Sequence, residues 1–153
     1  MRLRRRSKAR AVNVHGPARF DRRTKDLIRR LNAGDIAVID HRDIDRVAAD
    51  TLIAAGVAAV VNASPSISGR YPNGGPIRIV EAGIPLLDAV GPEVLEQIRE
   101  GEVLELHDGA LWRDKEKLAV GEILVPAEIE TRMEEARRTI GTELQTFARN
   151  TLA

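Results

Sequence analysis

The sequence predicts an α/β domain: a mixed sheet flanked by short helices, followed by one long C-terminal helix. Three observations carry that prediction. Two runs rich in Val, Ile and Ala, at 36–39 and 57–61, flank a stretch of helical periodicity. Asp108-Gly109 separates the apolar segments 103–106 and 110–112, a hairpin signal. From Pro126 onward, apolar side chains recur at steps of three and four.

Taken in order, residues 1–17 form a basic arm with almost nothing to bury, expected to be disordered on its own. Asp21 is placed to cap a helix over 22–31, with Leu27, Ile28 and Leu31 on one stripe and Gly34 as a stop. Residues 36–39 read as a buried strand. Asp43 or Asp45 caps a second helix through Ala55, with Val47, Ala48, Leu52 and Ala55 at helical spacing and Gly56 ending it. The β-branched run 57–61 is the next strand. Strand, helix and strand with short connections imply a parallel pair joined by a right-handed crossover.

The polar run 62–75 is the longest loop. Pro76 opens a short helix to Ala82, Gly83 closes it, and 84–87 is a strand whose Pro85 marks an edge or a start. Helix 92–99 turns Val94, Leu95 and Ile98 inward. The hairpin follows, then a short strand near 118–120. The final helix carries Ile129, Met133, Ala136, Ile140, Leu144 and Phe147 on one narrow seam. Its periodicity is still running at Ala153, so a further domain is expected beyond it. The division predicted is 1–17 for the arm, 18–125 for the α/β domain and 126–153 for the helix.

At 153 residues, with 43% hydrophobic and 31% charged residues, the chain suits one domain with an appendage. The absence of cysteine removes disulfides, thiol nucleophiles and thiolate metal sites. His15, His41 and His107 are far apart in sequence and outside any metal-ligand spacing, so no metal and no cofactor is expected. Aromatic residues at 3% argue against a base-stacking surface. No run approaches ~18 apolar residues, so no transmembrane helix and a cytoplasmic location are expected. Residues 1–30 hold 12 of the 24 Lys and Arg and only two acids, +10 against −9 for the remainder. Such an arm contacts an anionic membrane or nucleic acid, or stays a solvated tail.

The chemistry concentrates in two places. The loop leaving strand 57–61 offers Asn62, Ser64, Ser66, Ser68, Gly69, Arg70 and Asn73. Open α/β sheets place ligands at the carboxyl ends of their strands, and a helix N-terminus favours anions, so these residues are candidates for phosphate or anion binding. Neither a Walker pattern nor GxGxxG is present, and the same residues also read as a plain polar connection. The second cluster is Asp40, His41, Asp43 and Asp45, where a carboxylate-oriented imidazole would act as a general base. Helix capping accounts for the same aspartates, and no catalytic residue is assigned. The last-helix seam (Ile129, Met133, Ala136, Ile140, Leu144, Phe147) is a candidate interface for a homo-oligomer.

The segments Gly34-Asp-Ile-Ala-Val-Ile-Asp-His41, Asp45-Arg46, 54–75 with Ser66-Ile-Ser-Gly-Arg-Tyr-Pro-Asn73, Ala82-Gly-Ile-Pro85 and Gly91-Pro92 carry a resemblance. They resemble the N-terminal module of the SteA-like cytokinetic ring proteins of actinobacteria, which are thiamin-pyrophosphokinase-related. In that family the module precedes a pyrophosphokinase-like nucleotide-handling domain and hydrophobic C-terminal segments, neither of which this chain contains. The resemblance therefore implies a non-catalytic cell-division module acting in assembly. It would belong to a longer membrane-anchored protein at the division septum, with a membrane partner there and an anion bound at the 62–75 loop. The alternative is a phosphate-handling or nucleotide-binding enzyme domain related to thiamin pyrophosphokinase, with Ser64, Ser66, Ser68 and Arg70 at its site.

A second likeness is to the swivelling phosphohistidine domain of phosphoenolpyruvate-utilising enzymes, which makes the expected fold swivelling β/β/α-like. Here the loop-to-helix turn reads Gly69-Arg-Tyr-Pro-Asn-Gly-Gly-Pro76, without the phosphorylatable histidine, so phosphotransfer is not expected.

Overall fold

The computed structural model describes residues 12–152; the expectations for residues 1–11 lie outside the described residues. In chain order the elements are β1 (Asn13–Phe20), α1 (Thr24–Ile28), β2 (Ile36–Ile39), α2 (Arg46–Ala54), β3 (Ala59–Asn62), α3 (Gly75–Glu81), β4 (Leu86–Asp88) and α4 (Val94–Gln97). Then follow β5 (Val103–His107), β6 (Ala110–Arg113), β7 (Glu116–Val120), β8 (Glu122–Ile123) and α5 (Pro126–Leu152). The strands form one mixed sheet in the order β7-β6-β5-β1-β2-β3-β4-β8. β1 to β4 are parallel. β5 joins β1 antiparallel and starts the β5-β6-β7 meander, and β8 closes the other side against β4. The fold is a mixed α/β sheet flanked by short helices with a long C-terminal helix, in a swivelling β/β/α-like arrangement.

The two-residue alternation along the parallel strands builds a core on each face. Ala37, Ile39, Val60 and Leu86 meet Leu27 of α1, Leu52 of α2, Ile79 of α3 and Ile129 and Met133 of α5. Ile36, Val38, Ala59, Val61 and Leu87 meet Val94, Leu95 and Ile98 around α4 and Leu104, Leu106, Leu111 and Leu118 of the meander. No helix among the described residues is long and apolar enough to cross a membrane.

Several boundaries differ from the sequence expectation. The division at 17/18 falls inside β1, which begins at Asn13. His15-Gly16-Pro17 hid that strand, because glycine and proline weaken a strand signal. Gly16 is there for space: a Cβ at this position would collide with the Gly34 carbonyl oxygen. The first helix is five residues rather than ten, and Asp21 accepts a hydrogen bond from the Arg23 amide at 3.0 Å instead of capping it. In α2 the cap is Asp45, which accepts from the Ala48 amide at 2.7 Å. Val47, expected on the inner face, is 76% exposed. Pro85 sits just ahead of β4, which is an interior strand.

The proximal part of α5 packs on its own domain. Ile129 and Ala136 are fully buried and Met133 nearly so, which withdraws them from the predicted interface: they are core. Ile140 is half-buried, whereas Leu144 and Phe147 are 62% and 69% exposed. Arg132 anchors the same helix, donating to Glu122 at 2.8 Å and Glu128 at 3.0 Å and reaching buried Asp88 at 3.5 Å.

A second arginine ties the meander to the chain leaving α4. Arg113 donates to both oxygens of Glu102, at 2.7 and 2.8 Å, and to the Gln97 carbonyl at 2.7 Å. That paired guanidinium holds the Glu102 carboxyl at about 2, down from the ordinary 4.5. A carboxyl with a depressed folded value stabilises the fold above its unfolded value and stops doing so as pH falls through the folded one. Denaturant titrations should therefore show Glu102→Gln removing part of the stability loss between pH 4.5 and about 2. An unchanged slope in the variant would show that the pair does not act as described.

Candidate functional site

Each parallel strand ends, or is followed at once, by a short polar residue: Asp21 after β1, Asp40 after β2, Asn62 at the end of β3 and Asp88 at the end of β4. These residues gather the loops at the carboxyl edge. The Asn62 side chain is fully buried. Its Oδ1 accepts from the His41 amide at 3.0 Å and the Ser64 amide at 3.1 Å. Its Nδ2 donates to the His41 carbonyl at 2.9 Å and to Ser66 Oγ at 2.8 Å. One amide thus clamps both sides of the His41 residue and opens the 62–75 loop.

Aspartates hold the rest of that loop. The Ser64 hydroxyl donates to Asp40, and the Ser66 amide donates to Asp88 at 2.7 Å. Asp43 accepts from the Ser68 amide at 2.7 Å and the Ser68 hydroxyl at 2.9 Å. Asp43 itself stands in the left-handed region, at φ 54°, a conformation that Asp tolerates better than most residues. The backbones interlock as well: the Asp43 and Ile44 amides donate to the Pro65 and Ser66 carbonyls at 3.0 and 3.1 Å. Asn73 Nδ2 donates to the carbonyls of Ile44 and Ser66, both at 2.9 Å, while its Oδ1 is buried and accepts no hydrogen bond. Gly75 then passes so close to Ile44 and Asp45 that a Cβ would collide with both carbonyl oxygens.

The structure thus brings the seven candidate residues together but leaves few of them facing a ligand. Asn62 and Ser66 are buried, and the Ser64 and Ser68 hydroxyls are donated to carboxylates. Gly69 turns the chain at φ 91°. Arg70 is exposed at that turn, with its guanidinium 6.0 Å from the Tyr71 ring centre and no carboxylate within ion-pair distance among the described residues. The expected helix N-terminus does not add an anion site. α3 has seven residues, the Gly75 amide is donated to the Ile44 carbonyl at 3.2 Å, and Pro76 has no N–H.

The second cluster also differs from expectation. His41 Nδ1 lies 3.0 Å from Thr24 Oγ1 and not against a carboxylate. Asp40, Asp43 and Asp45 are engaged by Ser64, Ser68 and the Ala48 amide. An aspartate-oriented general base is therefore not what the loop builds. Among the described residues no group of three or more His, Asp or Glu side chains is gathered to hold a metal ion. Sequence reasoning missed Thr24 and Asp88. The signal for Asp88 was present, since three apolar runs in succession end in Asp, Asn and Asp. No local pattern announces Thr24, 17 residues from its partner.

No protein-family model matches the chain, and no curated protein does. Among solved structures it is similar to a 3-isopropylmalate dehydratase from Methanocaldococcus jannaschii. The identity is 13% and the TM-score 0.48, over 86% of this chain and 99% of that one. That neighbour is named as an enzyme and not as a division protein, so the expectation of a non-catalytic cell-division module finds no support in it and is not carried further. At this identity and TM-score the likeness transfers neither a dehydratase activity nor any site residue.

Asn62→Ala should lower stability by about 2–4 kcal/mol, because it leaves a buried hydroxyl and the part-buried peptide groups of His41 without partners. Gly75→Ala should lower it by about 1–3 kcal/mol through overpacking. Urea unfolding measures both, and a loss below about 0.5 kcal/mol in either would contradict the clamp.

Proposed function

We propose that the chain is an anion-binding domain of a phosphate-handling enzyme, in which Arg70 and Arg46 meet the phosphate group of the substrate. The observation that carries this reading is the way Arg70 is presented. It stands exposed, without a carboxylate partner among the described residues, on a loop that three aspartates and one buried asparagine hold in place. With the loop backbone braced at the carboxyl edge of the parallel strands, taking an anion orders the Arg70 side chain but not the loop that carries it. Arg46 supports the same assignment. A Cβ at Gly74 would come within 3.1 Å of its Cγ, so its stem lies against the loop, and it too has no carboxylate partner among the described residues.

The segment concerned, 66–73, is the one that resembles the thiamin-pyrophosphokinase-related proteins. The loop serines act in this reading as braces, not as ligands. The domain's part in the reaction is to bind and orient the phosphate.

Thermal unfolding with pyrophosphate or a nucleoside diphosphate tests the reading. At a hundredfold excess over Kd, binding stabilises by about 2.7 kcal/mol, about 5–10 °C in a domain of this size. Arg70→Ala should abolish the shift and Arg70→Lys keep part of it. The absence of any shift with millimolar phosphate compounds, or a shift that survives Arg70→Ala, defeats the assignment.

A further inference from the structure

The groove between α1 and α2 plays no part in that reading, and its lining has a chemistry of its own. It encloses about 450 Å³, within the size range of small-molecule sites. Ile28, Val47 and Ala48 form an apolar wall, and this is the side to which Val47 brings its exposed side chain. The His41 imidazole also lines it. This ring is held from two directions, through its peptide by Asn62 and through Nδ1 by Thr24 Oγ1 at 3.0 Å. Its Nε2 has no hydrogen-bond partner among the described residues. Lys25 and Arg29, four residues apart, border the groove, and neither has a carboxylate partner among the described residues. Asp45 is the acid of the lining, and its carboxylate is engaged by the Ala48 amide at 2.7 Å.

We propose that this groove is a binding site for a small organic anion, a phosphate ester or carboxylate carried on an apolar body. Lys25 and Arg29 take the anionic group, because two cations without carboxylate partners among the described residues, one on α1 and one at its C-cap, complement it. Ile28, Val47 and Ala48 cover the apolar body, removing from water the surface that Val47 otherwise exposes. His41 offers Nε2 as a hydrogen-bonding group whose tautomer the Thr24 contact at Nδ1 selects. Neither Arg46 nor Arg70 lines this groove.

Titration of isotope-labelled protein with phenyl phosphate, benzoate and inorganic phosphate, followed by NMR, tests the assignment. Phenyl phosphate should shift the resonances of His41, Val47 and Thr51 saturably. Inorganic phosphate, lacking the apolar body, should bind at least about tenfold more weakly. Benzoate reports whether a carboxylate serves as well as a phosphate: saturable shifts at the same residues support the wider ligand class, and their absence restricts the site to phosphate esters. The Lys25→Ala/Arg29→Ala double variant removes two exposed side chains with no hydrogen bonds among the described residues, so it should stay folded. Its affinity for phenyl phosphate should fall about tenfold or more. The readout is residue by residue: shifts at His41, Val47 and Thr51 report this groove and shifts at 66–73 report the loop, which separates this site from the one proposed above. The proposal is overturned if the shifts at His41, Val47 and Thr51 are absent or do not saturate. It is equally overturned if inorganic phosphate binds as tightly, or if the double variant binds like the parent.

Discussion

Asn62 ends β3 with its amide fully buried and both its donor and acceptor sides used. It pairs with the two peptide groups of His41, the amide of Ser64 and the hydroxyl of Ser66. The Ser66 hydroxyl would otherwise be buried and unmatched and the other groups part-buried and unmatched, each at a free-energy cost. The residue therefore sets where the 40–46 and 62–75 loops run, and through them the place of His41, Arg46 and Arg70. Asp43, Asp88 and Gly75 extend the same constraint: two carboxylates receive loop amides, and a missing Cβ lets the loop close on the entry to α2.

This bracing decides which charges meet solvent. Asp40, Asp43, Asp45 and Asp88 are each engaged by a protein hydroxyl or amide, whereas Lys25, Arg29, Arg46 and Arg70 have no carboxylate partner among the described residues. At the carboxyl edge these aspartates serve the fold, and these cations are left without carboxylates among the described residues. That division supports a domain that binds phosphate-bearing molecules and gives the serines of the 66–73 run a mechanical role.

The frame beneath the loops is tied by arginines of a different kind. Arg113 spans Glu102 and the Gln97 carbonyl, joining the meander to the end of α4. Arg132 joins α5 to Asp88 and Glu122, at the far side of the sheet. Asp88 thus receives the loop through the Ser66 amide and lies within reach of α5 through Arg132, so the position of the last helix and the position of the loop share one carboxylate.

The sequence by itself determined the α/β class, the strands at 36–39 and near 57–61, the hairpin at Asp108-Gly109, the inward residues of α4 and the long helix from Pro126. These follow from local periodicity and turn chemistry, which need only neighbouring residues. It also marked the 62–75 run as a loop, because a polar run after a buried strand is a local feature. Only the tertiary structure decided the rest. β1 emerged from a segment with Gly16 and Pro17 because pairing with β2 and β5 outweighed a poor strand propensity. The seam of α5 divided into a buried proximal part and an exposed distal part because the domain ends beneath it. The roles of Ser64, Ser66 and Ser68 turned on aspartates about two dozen residues away for all three, at sequence separations of 24, 22 and 25. Such pairings carry no periodicity, so they exist only once the sheet has brought the strand ends side by side.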